Sequence, residues 1–289
     1  MKRVFEEYRG RVTVTDGAWG TQLQAAGLPP DACPDLWNLE NPQAVEAVAR
    51  GYVQAGSRII LSNTFRANRF SLANWGLGER VAEIAQAGAA ISRRAAGQAV
   101  KVFASIGPTG KIVMMGEVSA EDIYAAFAEQ AGGLARGGAD AILCETFTEL
   151  EEAMLAVRAA REKTELPIVV SMTFDSGPEK TATMMGTTPA DLAAAAIEAG
   201  AAAVGANCGA GPEHYVKVAG LLRQASELPI WIKPNAGVPA LRDGRTVFPL
   251  GPEEFAAFVP ALVKAGANFI GGCCGTTPDH VRAIGAAVK

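Results

Sequence analysis

Thiols are the side chains of this sequence best suited to chemistry, and three of its five cysteines stand in strings of small residues, Asn207-Cys208-Gly209 and Gly272-Cys273-Cys274-Gly275. Deprotonated, a thiol is both a soft metal ligand and a nucleophile. Three thiolates held together would satisfy three positions of a tetrahedral zinc and leave the fourth open, which is the pattern of a catalytic rather than a structural site. Their softness favours zinc over magnesium or calcium. Spacing alone is a weak signal, because there is no Cys-x-x-Cys and Cys208 lies far from the pair. The competing reading is buried free thiols packing as small hydrophobes. A Cys273–Cys274 disulfide is disfavoured, since adjacent Cα atoms lie about 3.8 Å apart, below the usual disulfide separation. The odd cysteine count does not look like a secreted disulfide framework either. Cys33 and Cys144 read as a loop thiol and a core thiol.

Acids and amides that could share such a site are Asp16, Glu145, Asn63 and Asn235. Carboxylates buried at a strand end are seldom structural without a partner. The chain has two histidines, His214 and His280, each two residues after a proline in an early helix turn. They read as capping or surface groups, so a Ser-His-Asp hydrolase is poorly supported. A zinc hydrolase would want a site rich in histidine and carboxylate rather than sulfur. Met114-Met115 and Met184-Met185 read as loop or core filling.

What must position these residues is a recurring phrase: a helical stretch, a glycine, and a short apolar strand. It occurs at Gln54-Ala-Gly-Ser-Arg-Ile-Ile-Leu61, Arg136-Gly-Gly-Ala-Asp-Ala-Ile-Leu143, Glu198-Ala-Gly-Ala-Ala-Ala-Val204 and Lys264-Ala-Gly-Ala-Asn-Phe-Ile270. Glycine there is the expected helix C-cap. Two further junctions use proline, Leu166-Pro167 and Leu228-Pro229. Helix starts carry a cap residue before proline at Asn41-Pro42, Thr188-Pro189, Gly211-Pro212, Gly251-Pro252 and Thr277-Pro278. Ser119 with Asp122 forms a candidate capping box. Between these signals lie eight expected strands: 11–15, 58–61, 101–105, 141–144, 168–172, 202–205, 230–233 and 268–271. Their alternation with helices predicts an α/β fold, a single (β/α)8 TIM barrel over residues 1–289. An open doubly wound sheet is the rival, and no Gly-x-Gly-x-x-Gly turn supports it. Barrel enzymes carry their sites at the C-terminal strand ends. Asp16-Gly17, Asn63-Thr64, Glu145, Cys208, Asn235 and Cys273-Cys274 all follow a strand, and would converge on one mouth.

Bulk properties narrow the partners. Apolar residues make up 49% of 289, charged residues 19%, and the net charge is -4 with no basic block. Nucleic acid and anionic lipid are therefore not expected partners. Glu6 and Glu7 stand where a signal peptide needs its apolar stretch. Uncharged stretches such as 199–212 and 265–278 are broken by glycines and fall short of the roughly 18 apolar residues of a membrane span. A soluble, cytoplasmic protein is expected.

Several strings together carry a family resemblance: Asp16-Gly-Ala-Trp-Gly-Thr-Gln-Leu23, Ser62-Asn-Thr-Phe65, Glu145-Thr-Phe147, Gly205-Ala-Asn-Cys-Gly-Ala-Gly-Pro212, Lys233-Pro-Asn-Ala-Gly237 and Gly271-Gly-Cys-Cys-Gly-Thr-Thr-Pro-Asp-His280. They resemble the homocysteine S-methyltransferase family, and within it the homocysteine-binding module of cobalamin-dependent methionine synthase, from about Val12 to Ile284. The resemblance implies a TIM barrel whose Cys208, Cys273 and Cys274 bind zinc, with homocysteine sulfur joining as a further ligand before methyl transfer gives methionine. It implies Glu145 and Asp16 as the catalytic carboxylates that face the substrate ammonium. Backbone amides near Gly17, Asn63 and Thr64 would take the carboxylate, and Asn235 would fill the open zinc position when substrate is absent; a turn-stabilising asparagine is the other reading of Asn235. The chain ends at Lys289 and lacks a corrinoid-binding Asp-x-His-x-x-Gly string. An external methyl donor is expected: a methylcorrinoid on a separate protein, or a sulfonium such as S-methylmethionine or S-adenosylmethionine. A non-catalytic zinc barrel that binds a thiol or a partner is the alternative of a different class.

Overall fold

The computed structural model describes residues 5, 8, 10–242 and 245–288; Glu6 and Glu7, read above against a signal peptide, lie outside them. Seven parallel strands come first: β1 (Thr13–Val14), β2 (Ile59–Ile60), β3 (Lys101–Ile106), β4 (Ala141–Phe147), β5 (Ile168–Met172), β6 (Ala203–Cys208) and β7 (Ile230–Pro234). A hairpin of β8 (Ala240–Arg242) and β9 (Arg245–Val247) follows, and β10 (Ala267–Ile270) completes the set. The eight-stranded sheet runs in the order β1-β10-β7-β6-β5-β4-β3-β2. The Arg58 amide donates to the Val14 carbonyl at 2.9 Å, bringing β2 back against β1. The result is a nearly closed parallel barrel of the TIM type, as expected.

All eight expected barrel strands are present, with two informative shifts at their ends. Strand β4 runs to Phe147 and β6 to Cys208, three residues beyond each expected end, so that the functional residues belong to the strands themselves. The β8–β9 hairpin was not expected. It pairs antiparallel, Ala240 with Val247 and Arg242 with Arg245. An Asp243-Gly244 hairpin signal was there to be read. The helix starts fall where proline predicted, with Asn41 and Thr188 side chains accepting amides of their helices. The Ser119–Asp122 cap also forms, at 3.1 Å.

Alternation of side chains divides each strand between two environments. Outward residues such as Ile60, Val102, Ile142, Val170, Val204 and Ile232 pack on the helices. Inward residues Ile59, Phe103, Leu143, Val169, Trp231 and Phe269 fill the barrel, with Phe5 and Tyr8 packed against them. Phe103 stacks on Trp231 with ring centroids 5.7 Å apart. Two residues further along their strands, the same inward rows read Ser105, Glu145, Ser171 and Lys233, all buried. The barrel is apolar below and polar at its C-terminal mouth.

Candidate metal centre and acidic pocket

Cys208 ends β6, and Cys273 and Cys274 lie in the turn after β10. Their three Sγ atoms all fall within 4.8 Å of one another. Tetrahedral zinc with Zn–S bonds of about 2.3 Å places its sulfurs about 3.8 Å apart, so the cluster has the right size. Local backbone explains the convergence. Cys208 has φ 67°, a left-handed conformation uncommon outside glycine, which turns its sulfur off the strand direction. Gly275, at φ 81°, makes the turn that lets neighbouring Cys273 and Cys274 face one point. Gly271 and Gly272 serve a different purpose. A Cβ on Gly271 would collide with Thr15 and the Asp16 carbonyl, and one on Gly272 with Thr276, so they permit close approach.

The loops are tied together around the sulfurs. Asn235 donates from Nδ2 to the Gly209 carbonyl at 2.9 Å, and its Oδ1 accepts the Cys274 amide at 3.0 Å. The Cys273 amide donates to the Pro234 carbonyl at 2.7 Å. Thr276 Oγ1 donates to the Cys273 carbonyl at 2.7 Å and accepts the Ala18 amide at 3.0 Å. The thiols do not ionise alike. Hydrogen bonds from Cys273 and Cys274 hold Cys208 well below the usual thiol range, while their bonding to Cys208 raises both of them. Three sulfurs this close hold one negative charge readily and three only against a cation, so the donor set fits a divalent soft metal, zinc.

Two carboxylates stand beside the cluster, in different surroundings. Asp16 is fully buried; its Oδ2 accepts the Leu61 amide at 2.7 Å and Trp19 Nε1 at 2.8 Å, and its Oδ1 pairs with the Lys233 ammonium. Glu145 accepts Ser105 Oγ at 2.5 Å. Burial pushes its pKa up to about 7, against the lowering effects of Lys233 and of the Ser105 hydrogen bond. A bulge aims it: Cys144 pairs with Val170 but Phe147 pairs with Met172, leaving Glu145 and Thr146 between. Thr146 has φ 68° and is gripped by Asn207, whose Oδ1 accepts its amide at 3.0 Å and whose Nδ2 reaches its hydroxyl at 2.6 Å.

A cavity of about 390 Å³ opens over these groups. Of the expected site residues, Gly17, Asn63, Glu145 and the three cysteines line it. Asp16, Thr64 and Asn235 are buried behind its wall, each already hydrogen-bonded within the protein. Asp16, expected opposite a substrate ammonium, faces that of Lys233 here. Asn63 holds the loop after β2, donating from Nδ2 to the Pro34 carbonyl at 2.7 Å. His280 caps its own helix, accepting the Thr277 amide at Nδ1, and His214 bonds the Phe174 carbonyl. A second hollow of about 620 Å³, bounded by Glu253, Asp279 and Arg282, holds neither thiol nor buried acid. Lys233, Ser105 and Asn207 were not singled out from sequence. The signal for Lys233 and Ser105 was an inward position two residues past a core residue, Trp231 and Phe103, while Asn207 lies on the same strand face as Ala203, four residues on.

Comparison with known proteins places this arrangement. A family model described as Homocysteine S-methyltransferase matches residues 13–288. The chain is 34% identical over 304 residues to methionine synthase of Mycobacterium leprae and 35% over 297 residues to that of Mycobacterium tuberculosis, covering 99% and 96% of this chain. It spans 25% of the length of each. Its fold is similar to the crystal structure of the homocysteine methyltransferase MmuM from Escherichia coli in its metallated form, with TM-score 0.80, 24% identity and 98% of both chains covered.

Proposed function

The chain belongs to the homocysteine S-methyltransferase family, and from that premise we propose that it methylates the thiol of homocysteine to give methionine, with Cys208, Cys273 and Cys274 holding zinc. The observation that carries this reading is the meeting of three sulfurs from two strand ends in a cavity wall. Zinc bound there supplies a Lewis acid that makes a coordinating substrate thiol a thiolate near neutral pH.

The chain's own residues account for the rest. Glu145 faces the cavity from a buried position and takes the substrate ammonium, a cation that favours its ionised form. Backbone around Gly17 and Asn63 bounds the amino-acid end of the acceptor, and Asn235 keeps the two cysteine loops in register. Asp16 acts through Lys233 and Trp19 rather than at the cavity surface. Homocysteine sulfur then attacks the donor methyl in line; the new S–CH3 bond forms as the donor leaves with the electron pair of the old one.

For the donor, a methylcorrinoid is supported by the higher identity to the methionine synthases than to MmuM. A sulfonium donor is the alternative. The test is methionine formation by zinc-loaded protein from homocysteine with methylcobalamin, S-methylmethionine, S-adenosylmethionine or betaine. Product with one donor, abolished by Cys273→Ala, supports the proposal. No product with any donor favours a thiol-binding module, and product that survives Cys273→Ala removes the metal mechanism.

A further inference from the structure

Lys233 is the buried cation on the wall of the thiol cavity, only 2% exposed, and it shares that wall with Glu145 and the three cysteines. A lysine ammonium carries three N–H donors. One goes to Asp16 Oδ1, and among the described residues no other acceptor is bonded to Nζ. Trp231 lies under it, 5.8 Å from Nζ to the ring centroid, and supplies a π face but no lone pair. A buried ammonium that is one-third satisfied calls for another acceptor, and the cavity is where one can arrive.

The neighbouring charges narrow what that acceptor is. Glu145 and the sulfur cluster are the anionic groups that share the inner wall with Lys233, the exposed Arg66 lying with Asp35 farther out, and Lys233 acts electrostatically on Glu145. A ligand with an ammonium and a carboxylate on one carbon meets both signs at once: its cation faces Glu145, its anion faces Lys233. The Ala18 amide, another candidate donor at this end of the cavity, is already given to Thr276 Oγ1 at 3.0 Å.

We propose that Lys233, anchored by Asp16, binds the carboxylate of the thiol acceptor and so selects α-amino-acid thiols over simple aminothiols. This rests on the reading of the cysteine cluster as the site of a thiol acceptor. Asp16 then serves as the tether that stops the long lysine side chain from folding back, a positioning role.

The experiment measures binding to zinc-loaded protein by calorimetry, comparing homocysteine with its decarboxylated analogue, aminopropanethiol. Wild-type protein should prefer homocysteine by about ten- to hundredfold, the range of one charge-assisted hydrogen bond. Lys233→Gln should bring the ratio close to one, while Lys233→Arg keeps most of the preference. Because Lys233→Gln leaves the Asp16 charge buried alone, the double variant Asp16→Asn, Lys233→Gln provides a better-tolerated second test. Equal binding of the two thiols by wild-type protein, or a preference that survives the double variant, overturns the proposal. Binding of neither thiol by the wild type overturns the acceptor reading itself, and this assignment with it.

Discussion

A carboxylate taken out of water needs a counter-ion, hydrogen-bond donors or a proton, and the acids at the mouth of this barrel divide these means among them. Asp16 has the Lys233 ammonium and two N–H donors. Glu145 has one hydroxyl donor and a pKa raised to about 7. Asp35, 1% exposed on the outer part of the same cavity wall, accepts the Arg66 amide at 3.1 Å, and burial raises it to about 7 as well. Its folded value lies above its ordinary 3.8. The stability tied to its proton is therefore complete near pH 4 and is lost as pH rises through 7. Asp35→Asn keeps the accepting oxygen and removes the ionisation. Urea denaturation should find the variant close to wild type near pH 4 and more stable, on the order of 4 kcal/mol, near pH 8.5. At this scale the cysteines and Glu145 were legible, because thiols among glycines and an acid at a strand end are conspicuous. Lys233 was not, because lysine is ordinarily a surface residue and only the inward row of β7 marks it as buried.

Strand ends and their loops convert these residues into a site. The β4 bulge, held by Asn207, turns Glu145 into the cavity, and Asn235 ties the turn after β6 to the turn after β10. The loss of a tie between ligand-bearing turns commonly costs ten- to a hundredfold in metal affinity. Asn235→Ala should therefore weaken zinc binding by about that factor in competition with a chelator, while circular dichroism stays that of the folded protein. Zinc affinity equal to wild type would mean that the turns hold themselves. Most elements could be read from caps and glycine or proline junctions, since those are local in sequence. The bulge could not, because Thr146 at φ 68° is held by Asn207, a partner 61 positions away.

Across the whole molecule the two ends of the barrel have separate tasks. Phe5, Phe103, Trp231 and Phe269 close one end as an aromatic cluster, with Phe103 5.6 Å from Phe5 and 5.7 Å from Trp231. Phe103→Ala should cost about 3–5 kcal/mol in denaturant unfolding and leave zinc stoichiometry unchanged, since β3 supplies no cysteine to the cluster. Among the described residues no helix is long and apolar enough to cross a membrane. The polar end concentrates the chemistry, and its central claim is that three sulfurs of the chain share one zinc and leave a place for a fourth from the substrate. X-ray absorption at the zinc edge tests this directly, on purified protein before and after homocysteine is added. The account predicts three sulfur neighbours and one lighter atom at first, then four sulfurs. A shell without sulfur, or one that homocysteine leaves unchanged, would contradict it.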